Sequence, residues 1–228
     1  MKNVLVVAAE DFELAGILRR AEKVVRPGWK VQFSRIAVLN GMQLLMAAHG
    51  PGPRLAGEAA DEVKTRLPFD SVVSTGLCGA LDPAFSVGEI FAATQVNEWK
   101  AGLPVTALGY RTGQLLSADR VIGTAIEKSR LFRAGAAAVD MEAAAVESRA
   151  REWQLPFFCV RAVSDTADED IAFNLNEMRD ETGRFSRRRI VGRALRNPVR
   201  LIPELVRLNR NSGRAADALG DFFANCSF

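Results

Sequence analysis

Histidine is almost absent from this chain. Of 228 residues only His49 is one, and the cysteines number three, Cys78, Cys159 and Cys226. Those cysteines are scattered, with no CxxC pair, which excludes a zinc centre and a disulfide framework; no metal or other cofactor is expected. A lone histidine without a ligand partner reads as a loop residue. Cys78, with no histidine beside it, reads as packing and not as a nucleophile. Long apolar runs are missing too, and none approaches the ~20 residues needed to cross a bilayer. The opening MKNVLVVAAEDF carries one lysine and a short apolar run closed by Glu10 and Asp11, without a cleavage site. It reads as a buried first strand, not a signal peptide. The expectation is a reducing, cytoplasmic compartment. Repeats and low-complexity segments are also lacking.

What is present is a large apolar fraction, 48%. That is enough to bury the core of one large domain, alone or with a helical appendage. The net charge of +3 is unevenly placed. From Arg184 onward, arginines (Arg184, Arg187, Arg188, Arg189, Arg193, Arg196, Arg200, Arg207, Arg210, Arg214) far outnumber acids. The remainder is net acidic, and a basic tail of this kind fits an anionic surface or partner.

Apolar runs of strand length occur at 3–9, 43–48, 71–75 and 157–163, as expected for strands buried on both faces. Further strands are expected at 29–39, 89–96, 114–117 and 136–139. Helical spacing marks 14–25, 55–67, 119–131 and 141–153. This alternation predicts an α/β fold, a three-layer αβα sandwich around a mixed, mostly parallel sheet. We assign residues 1–185 to that domain and 186–228 to a basic helical C-terminal extension, with amphipathic helices at 187–195 and 199–208 parted by Asn197-Pro198, and a third helical stretch at 215–223.

Ligands in open α/β sheets bind beyond the C-terminal strand ends. Those ends carry Glu10-Asp11-Phe12-Glu13, Gly50-Pro51-Gly52, Gly76-Leu77-Cys78-Gly79 and Ser164-Asp165, with Asp140-Met141-Glu142 at a helix start. Carboxylates converging on one face suit acid/base chemistry on a neutral or weakly charged substrate. Each segment also has a plainer reading. Ser164-Asp165 fits a helix N-cap or turn, and the acids at 10–13 and 140–142 fit first-turn partners of a helix dipole. Gly76 and Gly79 fit a tight turn.

Taken in order, 72–83 followed by Val87-Gly88-Glu89-Ile90, then Ala138-Val139-Asp140-Met141-Glu142-Ala143-Ala144-Ala145, then Val160-Arg161-Ala162-Val163-Ser164-Asp165, resemble the purine nucleoside phosphorylase/nucleosidase superfamily. Over residues 3–170 they match its glycine-rich, ribose-binding and base-binding stretches. The resemblance implies cleavage of a purine N-glycosidic bond through an oxocarbenium-like state. It makes Asp165 the proton donor to purine N7, a role for which a closed apolar pocket would raise its pKa. Glu142 would bind the ribose hydroxyls, Met141 would pack on the ribose, and Ser164 would orient Asp165. Gly76 and Leu77 would line the substrate site, and Val121 and Ile122 would contact the base. A small-molecule nucleoside partner and a homodimer are implied; nucleic acid is not expected, because the tail has no aromatic stacking platform.

Family phosphorylases place an arginine before the glycine-rich stretch, a serine within it, and an arginine-bearing loop after the first strand. Here Ser74, Leu77 and the acidic 9–13 loop stand in those places. The resemblance to methylthioadenosine/S-adenosylhomocysteine nucleosidases makes Glu13 the water activator, with Glu10 as the alternative. Hydrolysis is therefore expected, with phosphorolysis through Arg54 or Arg161, or nucleoside binding without catalysis, as the other readings. The tail looks like that of hopanoid-associated phosphorylase-like proteins, a group in which a nucleosidase removes adenine from an adenosyl lipid. That implies adenine as the base, a bulky apolar 5′ substituent such as a hopanoid, and peripheral contact of the basic tail with a membrane surface. The same helices would equally serve to cap the domain or line a dimer contact.

Overall fold

A computed structural model describes residues 1–172, 175–178, 180, 184, 192–193 and 197–228, with the backbone alone at Leu175 and Arg200. In chain order the elements are β1 (Lys2–Ala8), a 3-10 turn (Asp11–Leu14), α1 (Ala15–Arg20), β2 (Lys23–Val25), β3 (Phe33–Leu39), β4 (Met42–Ala48), α2 (Pro53–Lys64) and β5 (Ser71–Ala80). There follow β6 (Ile90–Val96), β7 (Trp99–Lys100), β8 (Val105–Thr106), β9 (Arg111–Ser117), α3 (Ala125–Arg133), β10 (Ala136–Asp140), α4 (Ala143–Glu152) and β11 (Phe157–Asp165). A second 3-10 turn (Leu175–Met178), the long helix α5 (Pro198–Phe223) and β12 (Cys226–Ser227) complete the described chain.

The sheet is mixed, ordered β10-β9-β6-β11-β5-β1-β4-β3-β2, with β7 beside β6. Its centre, β4-β1-β5-β11, is parallel, and antiparallel hairpins extend it at the β4-β3-β2 end. Successive residues of β1 feed opposite faces, as the two-residue period of a strand requires. Leu5 and Val7 join a core with Ala56, Ala60 and Val63 of α2 and Val146 and Ala150 of α4. Val4, Val6 and Ala8 join another with Leu14, Ile17 and, from α5, Leu219, Phe222 and Phe223. Helices thus cover both faces, and the three-layer sandwich is as expected.

One pairing brings the functional segments together. The end of β5 pairs with β11 on one side and with β10 on the other, so that Gly79 faces Asp165 across one edge and Val139 across the other. Strands β5, β11, β6, β9 and β10 thereby close into a ring. The segments 76–79, 139–142 and 164–165, far apart in sequence, meet at its rim.

Several boundaries differ from expectation. The helix expected over 14–25 stops at Arg20, and Lys23–Val25 is an exposed edge strand on β3. β-Branched Val24 and Val25 satisfied a helical spacing but belong to a ladder. Residues 119–124 form no helix; α3 starts only after Thr124, whose side chain accepts from the amide of Glu127. The helices expected at 199–208 and 215–223 are one, α5, with Asn197 as N-cap, Pro198 in its first turn and Pro203 inside. The helix expected at 187–195 and the boundary at 185/186 fall outside the described residues, apart from 192–193. The second half of α5 is a structural wall. Gly16 and Gly220 meet so closely that a Cβ on Gly16 would lie 1.9 Å from the carbonyl oxygen of Ala216, and one on Gly220 2.3 Å from that of Gly16. Arg20–Asp221 at 2.7 Å and the Arg19–Asp217 pair clamp the same crossing. No helix among the described residues is long and apolar enough to cross a membrane.

Candidate active site

A cavity of about 290 Å3 opens at the rim of the ring, close to the size of small-molecule sites. Its walls include Glu13, Leu77, Val121, Ile122, Met141, Glu142, Ser164 and Asp165. Every site residue expected from the sequence lines it except Gly76, which lies just beneath. Phe12, Ile171 and Leu208 add apolar surface, and Glu10 lies on the same wall as Glu13.

Glu13 is set by the 3-10 turn that follows β1. Its Oε2 accepts from the amides of Ala9 and Glu10, both at 2.9 Å, and its Oε1 from the amide of Leu77 at 2.9 Å. A carboxylate offers about four lone-pair sites, so one acceptor direction remains. Gly76 makes this approach feasible: φ is +130°, and a Cβ there would stand 2.7 Å from Glu13 Oε1. Burial raises the Glu13 pKa, against the opposing pull of the three amides and of Arg161.

Glu142 faces the same space and accepts from the amide of Gly52 at 2.6 Å, across the Gly50-Pro51-Gly52 loop. Removal from water, then the charges of Asp140 and Glu13, push its pKa up to about 7. Beneath it runs a buried network absent from the sequence reading. Arg161 donates to Asp140 Oδ2 through Nε at 3.1 Å and Nη2 at 2.5 Å, and to Ser74 Oγ at 2.7 Å. Asp140 also accepts from the amide of Ala143 at 2.9 Å. Arg161 is only 1% exposed and engaged with these partners. Arg54 pairs with Glu58 at 2.5 Å. Arg161 is thus engaged by the chain's own groups, and Arg54 is not among the residues that line the cavity.

Asp165 ends β11. Its Oδ1 accepts from Ser164 Oγ at 2.8 Å. Its Oδ2 accepts from Lys128 Nζ at 2.6 Å. The closed apolar surround expected for Asp165 is thus interrupted by an ammonium. Lys128 is a residue of this region that the sequence reading missed, as it missed Ile171 and Leu208 on the cavity wall. It occupies the inward line of α3 between Ala125 and Leu131, where the three-residue spacing calls for an apolar side chain, and that misfit was the available signal.

Two residues behave as the sequence implied. Cys78 is buried on the cavity wall, and burial raises its thiol well above the usual range. His49 sits in the loop after β4, accepting from the amide of Gln32 at 3.0 Å. Among the described residues no group of three or more histidines, cysteines or carboxylates is arranged to hold a metal ion.

Comparison with known proteins bears on the fold. Residues 104–191 match the phosphorylase superfamily. That span contains the ribose-type and base-type segments as well as α3. A 5′-methylthioadenosine/S-adenosylhomocysteine nucleosidase of Neisseria meningitidis, in complex with methylthio-immucillin-A, superposes with a TM-score of 0.62 at 20% identity over 97% of this chain and 100% of its own. The corresponding protein of Colwellia psychrerythraea 34H, in complex with adenine, gives 0.61 at 20% identity over 77% and 87%. A futalosine hydrolase mutant of Helicobacter pylori gives 0.58 at 16% identity over 75% and 91%. At these identities the likeness is one of fold. Residues 104–191 thus match the phosphorylase superfamily, in a chain that shares its fold with these three proteins.

Proposed function

We propose that the protein hydrolyses the N-glycosidic bond of a purine nucleoside, with adenine as the base. The carrying observation is Glu13. Three backbone amides converge on a point beside the sugar wall, the kind of nest that binds phosphate in other proteins. Here the chain's own carboxylate fills it. An incoming phosphate would find its donors taken and a negative charge in their place. A neutral water meets no such repulsion, and Glu13 keeps one acceptor direction for it.

In this reading the purine lies against Val121 and Ile122 with N7 at Asp165. The ribose hydroxyls donate to Glu142, whose negative charge stabilises the positive charge building at C1′. As the C1′–N9 bond breaks, its electron pair stays with the purine and N7 takes a proton from Asp165. Water adds to C1′ and yields its proton to Glu13. The proton budget closes when solvent carries a proton from Glu13 back to Asp165. Phe12, Ile171 and Leu208 supply apolar surface for a 5′ substituent, which supports an apolar 5′ group on the substrate.

The test is release of free base from purine nucleosides, including 5′-thioether and 5′-alkyl adenosines, with and without phosphate. Phosphate-independent release abolished by Asp165→Asn is the expected result. Release only with phosphate overturns hydrolysis in favour of phosphorolysis. Purine binding without release leaves a nucleoside-binding protein.

A further inference from the structure

Lys128 has all three of its ammonium hydrogens engaged. Nζ donates to Asp165 Oδ2 at 2.6 Å, to the carbonyl of Thr166 at 2.7 Å and to that of Glu169 at 3.2 Å. Its side chain is fully buried, while that of Asp165 is 10% exposed. Burying an ammonium is costly unless it is paired and fully hydrogen-bonded. Here both conditions are met at one carboxylate on the cavity wall. With Ser164 on Oδ1 and Lys128 on Oδ2, the plane of the Asp165 carboxyl is fixed from both ends.

We infer that Lys128 is a positioning residue for the proton transfer to the leaving base: it orients the Asp165 carboxyl and balances the negative charge that appears there when the proton departs. This rests on the role proposed for Asp165. As the glycosidic bond breaks, the proton moves from Asp165 to N7, and Asp165 becomes a carboxylate. The ammonium is already at hydrogen-bond distance and needs no reorganisation to stabilise that charge, which is how preorganised electrostatics lower a barrier. Lys128 gives up no proton and touches no substrate.

This role depends on the leaving group, whereas a purely structural role does not. A purine needs a proton to depart; 4-nitrophenolate leaves without one. The experiment is steady-state kinetics of Lys128→Met on an adenine nucleoside and on 4-nitrophenyl riboside, with circular dichroism to confirm folding. We expect kcat on the adenine nucleoside to fall about 100-fold, with KM little changed, while the nitrophenyl substrate loses no more than about threefold. Lys128→Arg, which restores a cation, is expected to recover part of the ratio between the two substrates. An equal fall on both substrates, or no fall on the adenine nucleoside, overturns the inference and leaves the hydrolase reading standing. A wild-type protein that cleaves neither substrate overturns the hydrolase reading and this inference with it. Should Lys128→Met not fold, Lys128→Gln, which keeps a donor for Asp165 but no charge, gives the same comparison.

Discussion

The two walls of the cavity hold their carboxylates by opposite means. On the wall proposed for the sugar, Glu13 is held by backbone amides and Glu142 by the amide of Gly52, with the buried guanidinium of Arg161 joined to Asp140. On the base wall, Asp165 is held by side chains, a hydroxyl and a buried ammonium. Amides fix position while adding only partial charge, so burial dominates and both sugar-wall acids are pushed upward. An ammonium supplies a full countercharge. The division matches what the proposed mechanism asks of each wall: a base that takes a proton from water on one side, and an acid that gives one to the purine on the other.

The largest expected effect comes from cutting each wall at its reacting group. Asp165→Asn should slow base release from a purine nucleoside by roughly 10²- to 10⁴-fold, the usual range for a general acid. Glu13→Gln should fall by a similar factor, about 10²-fold or more. The walls are told apart by the leaving group. Asp165→Asn should largely spare 4-nitrophenyl riboside, whereas Glu13→Gln should slow both substrates, because water must be activated whatever departs. If both variants respond alike to the leaving group, the division of labour is wrong.

How the amides come to surround Glu13 bears on what the sequence could reveal. The strands at 3–9, 43–48 and 157–163 were legible because two-sided burial leaves an unbroken apolar run. The strand at 71–75 was legible only at its start. Residues 76–80 continue it to Ala80, since Gly76 and Gly79 keep the ladder while making room for the Glu13 and Asp165 carboxylates. Punctuation by glycine misled there, and in α5 the two stretches expected at 199–208 and 215–223 are one helix that packs on α1. The carboxylates that line the cavity could be singled out because they stand in contiguous motifs. Lys128 left a local trace, a cation on the inward line of α3, but its partner, like those within the Arg161–Asp140–Ser74 network, lies far off in the chain and no local pattern records such a pairing.

Gly76→Ala tests that geometry with a smaller effect. The new methyl would meet a carboxylate oxygen at 2.7 Å on a backbone with φ of +130°. Either the strand shifts or Glu13 leaves its amides. A loss of at least about 2 kcal/mol of stability is expected, or roughly 4–8 °C in Tm for a domain of this size. Thermal unfolding measures it, and an unchanged Tm would mean that Glu13 does not depend on this approach. Gly79→Ala, on the base wall, is the gentler counterpart: its Cβ would lie 3.1 Å from Asp165 Oδ2 at an ordinary φ.

The smallest effect is also the one with a definite sign. Burial, then the charges of Asp140 and Glu13, push the Glu142 pKa up to about 7 from the ordinary carboxylate value of 4.5. A group whose folded pKa is raised supports the fold while it is protonated, and that support is lost as pH rises from the unfolded value through the folded one. Above pH 7 the fold therefore carries a buried charge it would be more stable without. Glu142→Gln removes that charge while keeping the shape. It should raise Tm by about 2–4 °C at pH 8, equivalent to about 1 kcal/mol, and leave it nearly unchanged at pH 5. The same variant should bind nucleoside more weakly at pH 8, because the ribose hydroxyls lose their charged acceptor. Stability gained together with affinity lost would mark Glu142 as a group kept strained for its ligand. A Tm that drops at pH 8 would instead make its bond to Gly52 the dominant contribution, and the sugar wall would then be held together by its acids rather than destabilised by them.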